Sequence, residues 1–450
     1  MRKLILSVLV LFFAATAMMA QADAQLKTAK KSFDSYSLNK DEAKLVEAVD
    51  NINKVMMDGT LKADAAALVE AGDIYSAVIN DYVTTRSLAA ATNPEGAKDT
   101  PKLVEQAAVK SANAYMTAYK NADPKKGKKY RKAALKGLVA LQGNLSNEGI
   151  YAIQDQNYAE SQAAFQASIM LHKFLMENGE ESAMDDAKLL DEKYYAALSA
   201  MLNEDMDTAE PLYLELYEAN YEEAAIYDGL YKIAEKKDDK AAAEKYLMAG
   251  REKYPENLQL LFTEINFLLA NGRLDELTGK LSQAIEKEPN NVSLYATLGQ
   301  VYERLYNQAT KDGNTEEAAK NYDLARQQYE AGLQKDPEAA RLIYSLGAMI
   351  YNRGAVMSQK LAELESDFSK EGQKKYDTLK GQVDAEFEAA LPYFQKAEMA
   401  DPSDLNTLIA LKEMYARNSE FEVSNEFKTR IETLQGGGKI EKSYFKEKGM

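Results

Sequence analysis

Apolar positions in this chain recur at helical spacing, and they do so in paired short blocks. Tyr227, Leu230, Tyr231 and Ala234 lie three or four residues apart and form one stripe. The polar run Lys236-Lys237-Asp238-Asp239 breaks it, with an aspartate placed to cap a second helix. That second block carries Ala243, Leu247 and Gly250 and stops at Lys253-Tyr254-Pro255. Proline ends it because it lacks an amide donor and restricts the residue before it. The pattern predicts a helical hairpin. Small residues at 243 and 250 predict close helix contact, where a bulkier side chain would overpack by roughly 1–3 kcal/mol.

The same order of blocks returns downstream. Leu261, Ile265 and Leu268 precede Leu277, Leu281, Ala284 and Pro289. Pro255 and Pro289 are 34 residues apart, the period of a helix–turn–helix unit that buries its face by stacking on copies of itself. Next come Tyr295, Leu298, Gly299 and Tyr302, then, after a longer spacer, Ala325, Tyr329, Gly332 and Pro337. Ile343, Leu346, Gly347 and Ile350 pair with Ala390, Phe394, Ala397 and Pro402 across a still longer spacer. Leu408, Leu411, Tyr415, Ser424 and Ile431 close the series. Upstream the pattern is degenerate: Gly149, Ala152, Tyr158 and Phe165 mark one unit, and Ala197, Ala200, Tyr213 and Leu216 another. Leu68, Gly72 and Tyr75 pair with Ser111, Tyr115 and Ala118 across an insert holding Asn93-Pro94 and Thr100-Pro101. With Thr28–Met57 as an amino-terminal capping pair, the chain is expected to form about nine helical pairs, five of them regular.

This grammar resembles the tetratricopeptide repeat (TPR) family, whose first helix carries an aromatic or Leu, Leu-Gly and Tyr, and whose second carries Ala, Phe or Tyr, Ala and a closing Pro. The match runs from about Ala224 to Leu434. The whole chain, from signal to tail, resembles exported TPR proteins of the Bacteroidota. The resemblance implies an all-α fold, a right-handed α-solenoid superhelix of stacked hairpins, and a protein or peptide partner held in the concave groove. In the family, groove contacts come from first-helix positions that do not face the neighbouring helices. Carried onto this chain, those positions are Asp228, Lys232, Phe262, Asn266, Gln300, Arg304, Arg341 and Tyr344. Amides can bond a peptide backbone, guanidinium a carboxylate, and rings a side chain. The family's carboxylate clamp is not matched: Asp228 stands where its first Lys would be, and Lys232 where its Asn would be.

The domain organisation expected is a signal peptide over 1–24, degenerate repeats over 25–221, a regular array over 222–434 and a flexible Gly/Lys-rich tail over 435–450. Within the array, 352–384 reads as a projecting helical hairpin, charged and solvated. Arg2 and Lys3, the apolar run from Leu4 to Phe13 and the small residues Ala14–Ala20 have the architecture of an export signal, cut after Ala20 or Ala24. After that cut no stable membrane insertion is expected. Cysteine is absent, so no lipid can be attached through it and no disulfide formed, which suits a periplasmic protein, or a secreted one, stabilised by packing.

The formal charge of −16 repels nucleic acid and anionic lipid at long range, so neither is expected as a partner. One histidine, His172, inside a second-helix pattern, leaves no Cys/His zinc site and no Cys–His dyad. Asp205-x-Asp207 and Asp312-Gly313-Asn314 lack the ligands of a calcium loop and read as turns, with Asp207 and Asn314 as helix caps. No cofactor, metal or catalytic residue is expected. A non-catalytic scaffold in the cell envelope is therefore the leading expectation. A helical enzyme acting on cell-wall glycan and a self-assembling structural protein are the alternatives. The sequence leaves the oligomeric state open.

Overall fold

The computed structural model describes residues 2–58, 61–93 and 96–449, and side chains from residue 19 onward except that of Asp58. Most side chains of the expected signal segment, Pro94 of the insert and Met450 of the tail thus lie outside the described residues. Among those described there are helices, turns and loops and no β-strand.

Two compact units divide the chain, Met1–Gly250 and Arg251–Met450. In the first, α1 (Arg2–Asn39) pairs with α2 (Glu42–Asp58), α3 (Ala65–Thr92) with α4 (Ala107–Asn121), α5 (Lys128–Gln154) with α6 (Tyr158–Glu177), and α7 (Asp186–Leu202) with α8 (Met206–Glu218). Helices α9 (Ala224–Lys236) and α10 (Lys240–Lys253) come next, the unit boundary falling inside α10. In the second unit α11 (Leu258–Ala270) pairs with α12 (Leu274–Lys287), α13 (Val292–Lys311) with α14 (Thr315–Lys335), α15 (Ala340–Leu364) with α16 (Lys370–Ala400), and α17 (Leu405–Arg417) with α18 (Phe421–Gln435); α19 (Tyr444–Glu447) ends the chain. Within each unit the second helix of a pair also packs on the first helix of the next. Each unit is an α-solenoid of stacked hairpins, the arrangement the period implies.

Local chemistry sets the ends. Helices stop at Lys253, Lys287, Lys335 and Ala400, each two residues before Pro255, Pro289, Pro337 or Pro402. Asn157, Asp185, Asn257, Asn314 and Asp404 each accept the amide three residues on, and so satisfy a donor the helix cannot. At α8 the cap is Asp205, which accepts from the Thr208 amide at 3.1 Å. The sequence points to Asp207 there, but Asp207 sits in the first turn, because the helix starts two residues earlier.

The hairpins interlock through aromatic rings set against glycines. Tyr115 of α4 lies between Gly72 of α3 and Gly137 of α5; a Cβ at these glycines would come within 2.5 and 2.3 Å of the ring. Phe165 meets Gly149 and Tyr329 meets Gly299 within one hairpin, and Tyr213 of α8 meets Gly229 of α9 across two. Each ring is almost fully buried. The phenol hydroxyl reaches a carboxylate at the edge: Tyr115 donates to Asp73 at 2.6 Å and Tyr329 to Glu303 at 2.5 Å. Ala243 and Ala284 are buried as their spacing requires.

Irregular segments are fastened by buried carboxylates. Glu160 accepts from Lys102 Nζ at 2.6 Å and from the Gln106 amide at 3.2 Å, holding the insert between α3 and α4. Glu148 of α5 accepts from the Ala108 and Val109 amides at 3.0 and 3.2 Å, capping α4 from another hairpin. Glu264 of α11 is held by Arg251 at 2.8 Å and Lys280 at 3.0 Å.

The tail is a correction to the sequence reading. Gly436, Gly437 and Gly438 end α18, with Gly437 left-handed at φ 81°, but the segment beyond them is anchored. Phe445 is 1% exposed, against Phe427 and Tyr415. The fully buried Glu398 of α16 accepts from Ser443 Oγ at 2.5 Å and the Tyr444 amide at 2.6 Å, and Arg430 Nη1 donates to the Lys442 carbonyl at 2.7 Å. A Tyr-Phe pair inside the lysine-rich stretch has enough apolar surface to dock, and the charge count hides it.

Gly72→Ala and Gly279→Ala should have opposite signs. At Gly72 the ring has glycine on both faces and cannot retreat, so the helix-propensity gain is outweighed and stability falls by about 1–2 kcal/mol. Gly279 of α12 has open space around it, and alanine there should stabilise by up to about 1 kcal/mol. Urea midpoints at constant slope read both; a stabilising Gly72→Ala would refute the interlock.

Burial pushes the Glu148 carboxyl up to about 7, against the opposing pull of its two amide donors. The folded state therefore keeps a proton that the unfolded chain releases near pH 4.5. This contribution is complete below that pH and is lost as pH rises towards 7, by roughly 3 kcal/mol. Glu148→Gln should flatten that part of the stability–pH curve. Denaturation of both proteins from pH 4.5 to 8 tests this, and parallel curves would refute it.

Candidate functional site

In the second unit the first helices of successive hairpins, α13, α15 and α17, present side chains to one cleft of about 370 Å³. Gln300 comes from α13, Arg341 and Tyr344 from α15, and Asp401, Asp404 and Asn406 from the turn and first residues of α17. Repeat geometry places them: the turns that end α14 and α16 set the starts of α15 and α17 on the same side.

Tyr344 is half-buried, with its ring edge-on to Phe394 at 5.7 Å. Burial raises its phenol pKa, and the charges of Asp404 and Glu303 add to the rise, so the ring offers a neutral hydroxyl. The two aspartates are held by local donors. Asp404 accepts from the Thr407 amide at 2.8 Å and from its hydroxyl at 2.5 Å. Asp401 accepts from the Ser403 amide at 3.0 Å and its hydroxyl at 2.8 Å. Arg341 is exposed, and among the described residues it makes no ion pair or side-chain hydrogen bond. The cleft thus combines one uncommitted guanidinium, two amides, an aromatic face and two carboxylates already serving as turn acceptors.

Of the positions carried over from the resemblance, Gln300, Arg341 and Tyr344 meet in this cleft. Phe262 is half-buried and Asn266 exposed, both on α11, and Arg304 is exposed on α13; none of the three lines the cleft. Asp228 and Lys232 belong to the first unit and pair with each other at 2.6 Å, with Asp228 buried. The sequence reading missed Asp401, Asp404 and Asn406. Their signal was the Asp401-Pro402-Ser403-Asp404 turn, which reads as a helix cap but also sets the rim of the groove.

His172 of α6 faces Ser182 Oγ at 2.8 Å. Among the described residues no group of three or more His, Cys, Asp or Glu could hold a metal ion, and no helix is long and apolar enough to cross a membrane.

No protein-family model and no curated protein matches the sequence. Among solved structures, MamA residues 41 to the end from Desulfovibrio magneticus RS-1 is 18% identical, over 48% of this chain and 96% of that one, at TM-score 0.32. A TPR repeats protein from Bacteroides fragilis NCTC 9343 is 18% identical, over 61% and 98%, at TM-score 0.27. The human IFIT1 dimer with PPP-AAAA is 16% identical, over 92% and 95%, at TM-score 0.28. Scores this low have no bearing on partner or activity. By the form of its own helical pairs, glycine-to-ring contacts and proline stops, this chain has an α-solenoid fold of stacked helical hairpins.

Proposed function

We propose that the chain is an exported, non-catalytic scaffold that holds protein segments in the cell envelope, using the cleft formed by α13, α15 and α17. The supporting observation is the convergence of Gln300, Arg341 and Tyr344 with Asn406 on one open cleft. An extended peptide fits this chemistry. Gln300 and Asn406 can bond its backbone, and Tyr344 can cover an apolar side chain. Arg341 can take a carboxylate, whether an acidic side chain or a chain end, in a forked pair. Export rests on the amino-terminal sequence: a basic start, an apolar run and small residues before Gln21 and Gln25.

The cleft is tested by a photoreactive residue in place of Asn406, with Arg341→Ala/Tyr344→Ala as the paired variant. Envelope partners cross-linked through position 406 should bind the variant at least about tenfold more weakly. Unchanged cross-linking would sink the assignment. Fold and site separate in the single variants: Arg341→Ala should leave stability within about 0.5 kcal/mol, whereas Asp404→Ala, which removes the cap of α17, should cost about 1 kcal/mol. Mass spectrometry of the cell-borne protein should find Gln21 or Gln25 at the amino terminus. A chain beginning at residue 1 in the cytosol would refute export.

A further inference from the structure

We propose that the first unit carries a separate recognition cleft, between α5 and α7, that takes a lysine or arginine side chain of a peptide. The cleft has a volume of about 420 Å³. Its apolar side is Ile150 of α5 and Tyr195 of α7, which are 38% and 37% exposed, unusual for large apolar residues facing a concavity. Tyr195 stacks on the buried Phe165 at 5.4 Å and 20° and meets Tyr194 at 5.4 Å and 63°, which fixes the ring in the cleft wall.

The polar side is Asp191 and Glu192 of α7. Asp191 accepts from the Tyr221 hydroxyl at 2.7 Å. Glu192 is nine-tenths buried, and Ser146 donates to its Oε1. Its Oε2 is buried on the Ser168 side, and burial raises the carboxyl pKa against the opposing pull of Ser146 and Ser168. Lys188 also lines the cleft, but its Nζ reaches the Ala183 carbonyl at 3.4 Å and pairs with neither acid. Asp191 and the buried Glu192 therefore line an apolar concavity, and among the described residues neither is in an ion pair.

A basic side chain supplies what is missing. Its aliphatic stem lies along Ile150, its cation meets the exposed part of Tyr195, and its donors reach the carboxylates. An acidic guest meets like charge, and a purely apolar one leaves Glu192 buried and uncompensated. The net charge of −16 favours the approach of basic peptides. This cleft lies in the first unit and shares no residue with the cleft of α13, α15 and α17, so either can fail alone.

The test uses three probes, acetyl-Ala-Ala-X-Ala-Ala-amide with X as lysine, norleucine or glutamate, followed by saturation-transfer NMR on the full chain. The lysine probe should bind roughly tenfold more tightly than the norleucine probe, and the glutamate probe should not bind. Glu192→Gln should weaken the lysine probe roughly tenfold. Ile150→Lys, at a half-exposed position that the fold tolerates, places a tethered cation in the cleft and should abolish binding. Arg341→Ala should leave it unchanged. Equal binding of the lysine and norleucine probes, or lysine-probe binding that survives Ile150→Lys, would overturn the proposal.

Discussion

Helix packing in both units uses one recurring contact, an aromatic ring from a second helix laid against a glycine in a first helix, and in the first unit Tyr115 and Tyr213 make it across to the next hairpin. The missing Cβ brings the helix axes close enough for the ring to fill the space, and the ring cannot rotate away because neighbouring turns enclose it. Tyr115 shows the arrangement in full. It bridges α3, α4 and α5 by resting on Gly72 and Gly137, while its hydroxyl reaches Asp73. Burial raises the pKa of this phenol, the nearby carboxylate adds to the rise, and the hydroxyl stays a donor. A leucine in its place would supply apolar area but no fixed plane and no polar tip, so it would set neither helix separation nor register.

Because this contact is written in residue type, much of the fold is legible in the sequence. Gly299 before Tyr329 and Gly72 before Tyr115 announce helix pairs before any coordinate is known. Proline stops are equally plain. Less legible is anything that joins elements far apart in the chain. Glu148 capping α4 across 40 residues has no local signature, and neither does Glu398 holding Ser443 and Tyr444. Composition actively misleads at the tail, where glycines and lysines signal freedom while Phe445 is among the most buried side chains. At the site, the repeat register placed Gln300, Arg341 and Tyr344 on one face. It could not show that Asp228 and Lys232 would pair with each other, since an (i, i+4) ion pair and two groove ligands have the same spacing.

The long-range carboxylates have a common logic. Helical repeats satisfy their own backbone, but a loop or tail laid across them brings unsatisfied amides into a low-dielectric surface. Glu148 accepts two such amides, and Glu160 and Glu398 accept one each while their second oxygen takes Lys102 Nζ or Ser443 Oγ. Where a cation joins, as Lys102 does at Glu160 and Arg430 does near Glu398, the charge is compensated. Where none does, as at Glu148, desolvation wins and the carboxyl holds its proton to higher pH. An acidic protein without disulfides thereby pins its irregular segments.

The same test, whether a buried charge or an apolar surface is answered within the chain, separates solvated features from recognition surfaces. The long hairpin of α15 and α16 is answered: Tyr351 and Phe387 close its base at 4.8 Å, Arg353 pairs with Glu386, and Arg417 lies over Phe387 at 3.8 Å. Beyond Val383 its faces are charged and exposed, with Lys375 paired to Glu371 at 2.9 Å, so water suffices as its partner. Phe368 at its tip is 90% exposed, but a single ring among charges forms no patch. In the two clefts the charges are not answered. Among the described residues Arg341 is in no ion pair, and neither is Glu192 beside the half-exposed Ile150 and Tyr195. The two clefts thus differ in the charge they present, a guanidinium in the second unit and carboxylates in the first, and each proposal rests on its own cleft.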